Sequence, residues 1–225
     1  MSIEKREFRV IVTGATGMVG EGVLLECLAH PAIDQVLSVS RRPCGLKHPK
    51  LRECIVPDFL ELDGYSGQLN GYEACLFCAG VSSRGMSEAA YSHITFDTTI
   101  HFARALLGLN PRMTFCYVSG ALTDSSEKGR IMWARVKGKT ENALISAGFA
   151  HVYSFRPGFM RPSSGQKNIK SYYKAIGKLY PLLHFLFPNQ GSTMRDVGLA
   201  MINCVVKGYP KQILEIRDIN SLARE

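Results

Sequence analysis

Short apolar runs alternate along the chain with longer stretches of helical periodicity. Residues 8–13, Phe8-Arg9-Val10-Ile11-Val12-Thr13, are β-branched and stop at a glycine, so they read as a buried strand. Residues 17–30 read as a helix with Val19, Val23, Leu24, Cys27 and Leu28 on one face, and Pro31 stands where it must end. Further strands are predicted at residues 36–40, 53–56, 74–78, 113–118 and 151–155. Helices are predicted at about residues 88–107 and 127–147, the second closed by Gly148. The turn Arg156-Pro157-Gly158 ends this alternation. A region rich in Lys, Tyr, Phe and Pro follows. Then come a helix at about residues 194–206 and a short strand at 212–216 that closes the chain.

Strands that are apolar throughout, joined by helices long enough for crossovers, predict a parallel sheet covered on both faces. The expected fold is α/β, a doubly wound parallel sheet of Rossmann type with a small C-terminal lobe. Residues 1–158 form the sheet domain. Residues 159–225 form the lobe, integrated with the same domain and lying over the strand ends. At 225 residues, 46% hydrophobic and 20% charged, the chain has material for one such core.

Charge changes the picture in one region only. The formal net charge is +8. Most of the excess comes from residues 142–195, which hold Arg156, Arg161, Lys167, Lys170, Lys174, Lys178 and Arg195 and no Asp or Glu. The seven cysteines are scattered through apolar stretches and read as buried, reduced thiols. Cys75-Leu76-Phe77-Cys78 matches a redox spacing, but inside a strand its two thiols point to opposite faces. The N-terminus has no apolar signal core and no 18-residue apolar run occurs, so a cytoplasmic protein is expected. His93 and His101 are too far apart on one helix to share a metal, and no metal-ligand cluster is evident.

The chemistry starts at the first turn. Gly14-Ala15-Thr16-Gly17-Met18-Val19-Gly20 has glycines at every third position, after a strand and before a helix. Glycines there permit a tight turn and close backbone approach to a pyrophosphate, and the helix start offers free N–H groups and a positive dipole end. A dinucleotide is the expected ligand. Its ribose is read at the end of the second strand, where an NAD site carries a carboxylate. Here that position reads Ser40-Arg41-Arg42. Guanidinium groups suit a 2′-phosphate, so NADP(H) is expected to bind better than NAD(H).

Several further pieces keep a recognisable order: Pro57-Asp58-Phe59, Cys78-Ala79-Gly80, Tyr117-Val118-Ser119, Lys137 and Arg156-Pro157-Gly158. With the glycine turn, they make the chain resemble the atypical short-chain dehydrogenase/reductases, including NmrA-like, TIP30-like and small sugar-nucleotide-epimerase-like proteins. The resemblance implies that Asp58 accepts from the adenine amino group and Phe59 packs beside the ring. It implies that Cys78, Ala79 and Gly80 admit the ribose, that Lys137 holds the nicotinamide-ribose hydroxyls, and that Pro157 and Gly158 flank the nicotinamide. The family's catalytic set is Ser, Tyr and Lys, with Tyr four residues before Lys. Ser119 and Lys137 fit, but the tyrosine position is Trp133.

That exchange bears on chemistry. A phenol can trade a proton near neutrality when a lysine and a cationic ring lower its pKa; an indole N–H has no accessible proton to give. Two readings follow. One is an NADP-linked oxidoreductase or epimerase-like protein with altered or weak activity, its proton coming from Ser119, water or the lobe. The other is a non-catalytic NADP(H)-binding regulator or redox sensor that acts through a protein partner.

In the lobe, Ile169, Tyr172, Tyr173, Ile176 and Leu179 share one helical face, and Lys170, Lys174 and Lys178 another. This helix reads as an ordinary packed one, as a lid over an anionic small-molecule substrate, or as a peripheral membrane contact. Nucleic acid is not expected, because no interleaved stacking and groove motif is present. A homodimer through the two long helices would match similar proteins.

Overall fold

The computed structural model describes residues 7–169 and 191–225. Its sheet has seven parallel strands: β1 (Phe8–Thr13), β2 (Ile33–Ser40), β3 (Leu51–Ile55), β4 (Ala74–Phe77), β5 (Thr114–Val118), β6 (His151–Phe155) and β9 (Ile213–Leu214). Their spatial order is β3-β2-β1-β4-β5-β6-β9, so the chain reverses direction across the sheet between β1 and β4. Such a switch point opens a crevice beyond the carboxyl ends of the two strands. Two short strands, β7 (Phe159–Arg161) and β8 (Gly191–Thr193), form a separate parallel pair.

The apolar runs are explained by burial on both faces. Val10 and Val12 of β1 point into one core with Val23, Leu24 and Cys27 of α1 (Met18–Ala29) and Val197 and Met201 of α6 (Met194–Lys207). Ile11 points into the other, with Phe102 and Leu106 of α4 (Thr98–Leu109) and Leu144 of α5 (Met132–Ile145). Cys75 lies in this second core while Cys78 packs on the first, and both are free thiols, as the strand alternation requires. Helix α6 lies close on α1: a Cβ added at Gly198 would come within 2.9 Å of the Glu26 side chain. Hence much of residues 194–222, expected in the lobe, belongs to the main body, with β9 as the seventh strand. A minor helix, α2 (Ser66–Leu69), precedes β4.

Three elements differ from expectation, each for a local reason. The long helix at 88–107 is α3 (Glu88–Ser92), a π-helical turn (His93–Asp97) and then α4. The Thr98 hydroxyl, in addition to its backbone N–H, donates to the His93 carbonyl and stabilises the wide turn. The helix expected from residue 127 starts only at Met132. Asp124 captures the N–H groups of Ser126 and Gly129, and Glu127 takes a positive φ of 61°, so the chain turns before it can wind. Finally, the chain does not close on a strand. Helix α7 (Ile216–Leu222) follows, and its signal lay in Glu215 and Asp218, which form a reciprocal cap. The helix expected over residues 169–179, with its three lysines, falls largely outside the described residues.

One buried ion pair ties these layers together. Arg156, at the end of β6, donates through Nε and Nη2 to both carboxylate oxygens of Glu141 on α5. Its Nη1 reaches Glu215 at 3.1 Å, and Nη2 also reaches Ser125 Oγ. Glu141 is fully buried, so it has no water to fall back on. Removing one partner of a buried pair costs about 3–5 kcal/mol, against about 0–1 kcal/mol for a surface pair. We therefore expect Glu141→Leu to lower unfolding free energy by about 3–5 kcal/mol in urea titrations. A loss under ~1 kcal/mol would place the pair among surface bridges.

Candidate functional site

The glycine turn is shaped by its neighbours more than by its own flexibility. Gly14 has φ +71°, and a Cβ there would lie 2.8 Å from the backbone of Cys78 and Ala79. The end of β4 thus leaves no room for a side chain. Thr13 fixes the same junction from the other side: its buried hydroxyl accepts N–H bonds from Cys78 and Ala79, both at 3.0 Å. Gly20 is filled from within as well, since its Cβ would fall 2.2 Å from the Gly14 carbonyl oxygen. Gly17 differs. Its Cβ would meet only that oxygen, at 3.4 Å, an ordinary contact. The protein itself tolerates a methyl there, so any demand for glycine comes from outside the backbone.

Outside that backbone lies a cavity of about 520 Å³ at the switch point. It brings together Gly14, Thr16, Gly17, Arg41, Asp58, Phe59, Cys78, Ala79 and Gly80 from the ends of β1, β2, β3 and β4. Helix α1 begins at its floor, and no side chain caps its first turn. Arg41 is exposed at the rim with no ion-pair partner among the described residues, whereas Arg42 is not part of the lining. One Asp58 oxygen accepts the Leu60 N–H at 2.9 Å, and no partner is shown for the other among the described residues. Phe59 is buried and stacks on Phe102 with ring centroids 4.8 Å apart.

Met18, Val19, Gly20, Pro157 and Gly158 do not line this cavity. The sequence reading missed Ser40, Pro57, Val81, His93, Ile94 and Thr98, which do. The last three arrive through the π-helical turn, which has no sequence signature. Thr13 was also missed, although its place before the glycine turn was a signal.

Ser119, Lys137 and Trp133 meet at a second place, beyond the end of β5. The Lys137 ammonium donates to the carbonyls of Val118 and Ser119 at 3.1 and 3.2 Å. Burial lowers its pKa to about 8, and Glu141 one turn on opposes that shift. Trp133 is half-buried with its ring edge against Gly120. The loop is joined to the end of β6 by Ser119 N–H to Phe155 and Ala121 N–H to Pro157. Ser119 Oγ lies 2.9 Å from Thr123 Oγ1, which itself donates to the Gly120 carbonyl. Thr123 has therefore spent its proton, and Ser119 is the donor of the pair. Tyr117, two residues earlier, lies under the Lys137 ammonium at 5.3 Å from its ring centre, and burial raises its pKa well above the ordinary phenol value.

No family model matches the chain. Its sequence is similar to "Protein fmp52-1, mitochondrial" of Aspergillus terreus, at 27% identity over 157 residues, 67% of this chain and 66% of that protein. It is similar to Protein HTATIP2 of Rattus norvegicus at 24% identity, over 67% of this chain and 62% of that protein. The chain thus spans just under two thirds of these curated relatives. Among solved structures, the Bordetella bronchiseptica enzyme WbmF in complex with NAD⁺ superposes with a TM-score of 0.67 at 15% identity, covering 98% of this chain and 78% of that one. The resemblance to the atypical short-chain dehydrogenase/reductases holds. This chain has their Rossmann-like fold, with the seven-stranded parallel sheet and flanking helices. The expectation of a cytoplasmic protein does not hold, because the fmp52 relatives are named as mitochondrial.

Among the glycines, a substitution series separates packing from ligand contact. Gly20→Ala, with backbone 2.2 Å away, is expected to unfold or strongly destabilise the protein. Gly17→Ala is expected to keep its stability within about 1 kcal/mol while weakening dinucleotide binding at least about tenfold. Thermal melts and calorimetric titration of both variants check this. Equal destabilisation by the two would contradict it.

Proposed function

We propose that this chain binds NADP(H) across the crevice between β1 and β4, with the pyrophosphate on the glycine turn and the first turn of α1. The observation that carries the reading is the exposed Arg41, without an ion-pair partner among the described residues, at the rim of a cavity whose floor is that turn. The cavity fits such a ligand. Gly17 leaves open the approach that a pyrophosphate needs, and Asp58 keeps one free carboxylate oxygen where an adenine amino group would sit. WbmF is described with NAD⁺ and with NADH, which supports a dinucleotide of this general kind. The preference for the 2′-phosphate rests on Arg41 and on the lack of a carboxylate in Ser40-Arg41-Arg42.

Bound nicotinamide supplies hydride chemistry. What the protein supplies beside it is limited. Lys137 would hold ribose hydroxyls with the proton left over from its two carbonyl bonds. Ser119 keeps lone pairs to accept a hydrogen bond, but its proton is committed to Thr123. Trp133 has none to transfer. The first reading is therefore an oxidoreductase-like or epimerase-like protein of altered or weak activity, in which water supplies the proton. The tryptophan at the tyrosine position also favours the second reading, a non-catalytic regulator or redox sensor that reports NADP(H) to a protein partner.

Calorimetric titrations with NADPH and NADH test the cofactor assignment. NADPH is expected to bind at least about tenfold more tightly, and Arg41→Ala to remove about 1.5–3 kcal/mol from NADPH binding while leaving NADH unchanged. Equal affinities in the wild type would defeat the assignment.

A further inference from the structure

A second cavity lies between α4 and α5. Its volume is about 630 Å³, larger than the crevice, and the two share one lining residue, Leu60. The π-helical turn separates them. It gives His93 and Ile94 to the crevice, and Phe96 and Asp97 to the second cavity. The gap between the helices has a cause in the sequence. Ala103 on α4, Ala143 on α5 and Ala147 just beyond it line the space, so methyl groups stand where longer side chains would close it.

The lining is of two kinds. Ile100 and Leu144 are buried and line the cavity at depth, and Phe96 adds an aromatic ring. His101 and Arg104 are exposed and stand three residues apart on one side of α4. Neither has an ion-pair or hydrogen-bond partner among the described residues. The Lys139 ammonium lies 4.4 Å from the centre of the Phe96 ring and adds a further cation beside it. Carboxylates do not balance these groups. Helix α4 contains no Asp or Glu, and the one acid of α5, Glu141, is buried on Arg156. Asp97 is the one carboxylate in the lining, and His93 takes it from the crevice side at 3.2 Å.

That charge pattern decides between occupants. A twofold dimer through α4 and α5 would set this patch against its own copy. Arg104 and Lys139 would then meet like charges with no free carboxylate of either helix to answer them. An apolar recess with a guanidinium and an imidazole at its rim suits a chain with one anionic end. Its volume falls within the range of about 300–1,000 Å³ that small-molecule sites occupy. We propose that the cavity between α4 and α5 is a second ligand site, separate from the crevice, and that it takes a medium-chain fatty carboxylate. The alkyl chain lies against Ile100 and Leu144, and the carboxylate accepts from Arg104 and His101. The inference does not depend on the cofactor reading, since no residue of the glycine turn takes part.

Calorimetric titration of the full chain with decanoate, 1-decanol and acetate, each kept monomeric, tests this. Decanoate is expected to saturate a single site. 1-Decanol lacks the charge and acetate lacks the chain, so each should bind at least about tenfold more weakly. Arg104→Ala removes the guanidinium, and Ala143→Phe fills the recess. Each should weaken decanoate about tenfold or more. Arg104→Ala, at an exposed position, should keep the wild-type Tm, so the test stands even where Ala143→Phe fails to fold. Absence of decanoate binding would overturn the proposal. So would 1-decanol binding as tight as decanoate, or decanoate affinity that either folded variant leaves unchanged. Sedimentation velocity supplies one more outcome: a dimer that Ala143→Phe dissociates, with no effect of decanoate, would overturn it in favour of a second copy of the chain.

Discussion

The close approach of β1 and β4 at Gly14 is the constraint on which the rest depends. The Gly14 backbone sits where any Cβ would strike the peptide between Cys78 and Ala79, and the Thr13 hydroxyl binds both N–H groups of that junction. Two parallel strands, on either side of which the strand order runs in opposite directions, are thereby held together at their ends. The crevice beyond them has fixed walls, and α1 leaves it at a fixed angle because Gly20 rests on Gly14. The cavity, its rim arginine and its uncapped helix start are consequences of this contact.

A second, independent structure governs the other end of the site. The loop from Ser119 to Ile131 is a self-satisfied network, anchored by Asp124, by Lys137 and by the carbonyls that follow β5 and β6. Arg156 and Glu141 brace the helix beneath it. Here the protein uses its polar groups to hold shape. In the proposed reading, the glycine turn and the loop after β5 make separate demands on the crevice.

Most of the fold was legible because periodicity reports burial directly. β1 and β6 fall at their expected limits, and the doubly wound sheet follows from strands that are apolar on both faces. What was not legible depends on competition between local bonds. Asp124 delays α5, and an extra residue widens the helix at His93–Asp97 and brings His93 and Ile94 to the cavity. Neither event has a one-dimensional pattern. The candidate site divides in the same way. The glycines, Arg41 and Asp58 stand in short motifs, whereas Thr13 owes its importance to a hydroxyl's two partners.

Trp133 is the single tryptophan of the chain, and it lies on the turn of α5 before Lys137. Its emission overlaps the absorption of reduced nicotinamide, so it reports whether a cofactor bound at the glycine turn reaches the loop after β5. The account predicts that NADPH strongly quenches Trp133 and that nicotinamide emission rises when Trp133 is excited. NADPH binding by calorimetry with Trp133 emission unchanged would contradict it, because the two ends of the crevice would then not belong to one site.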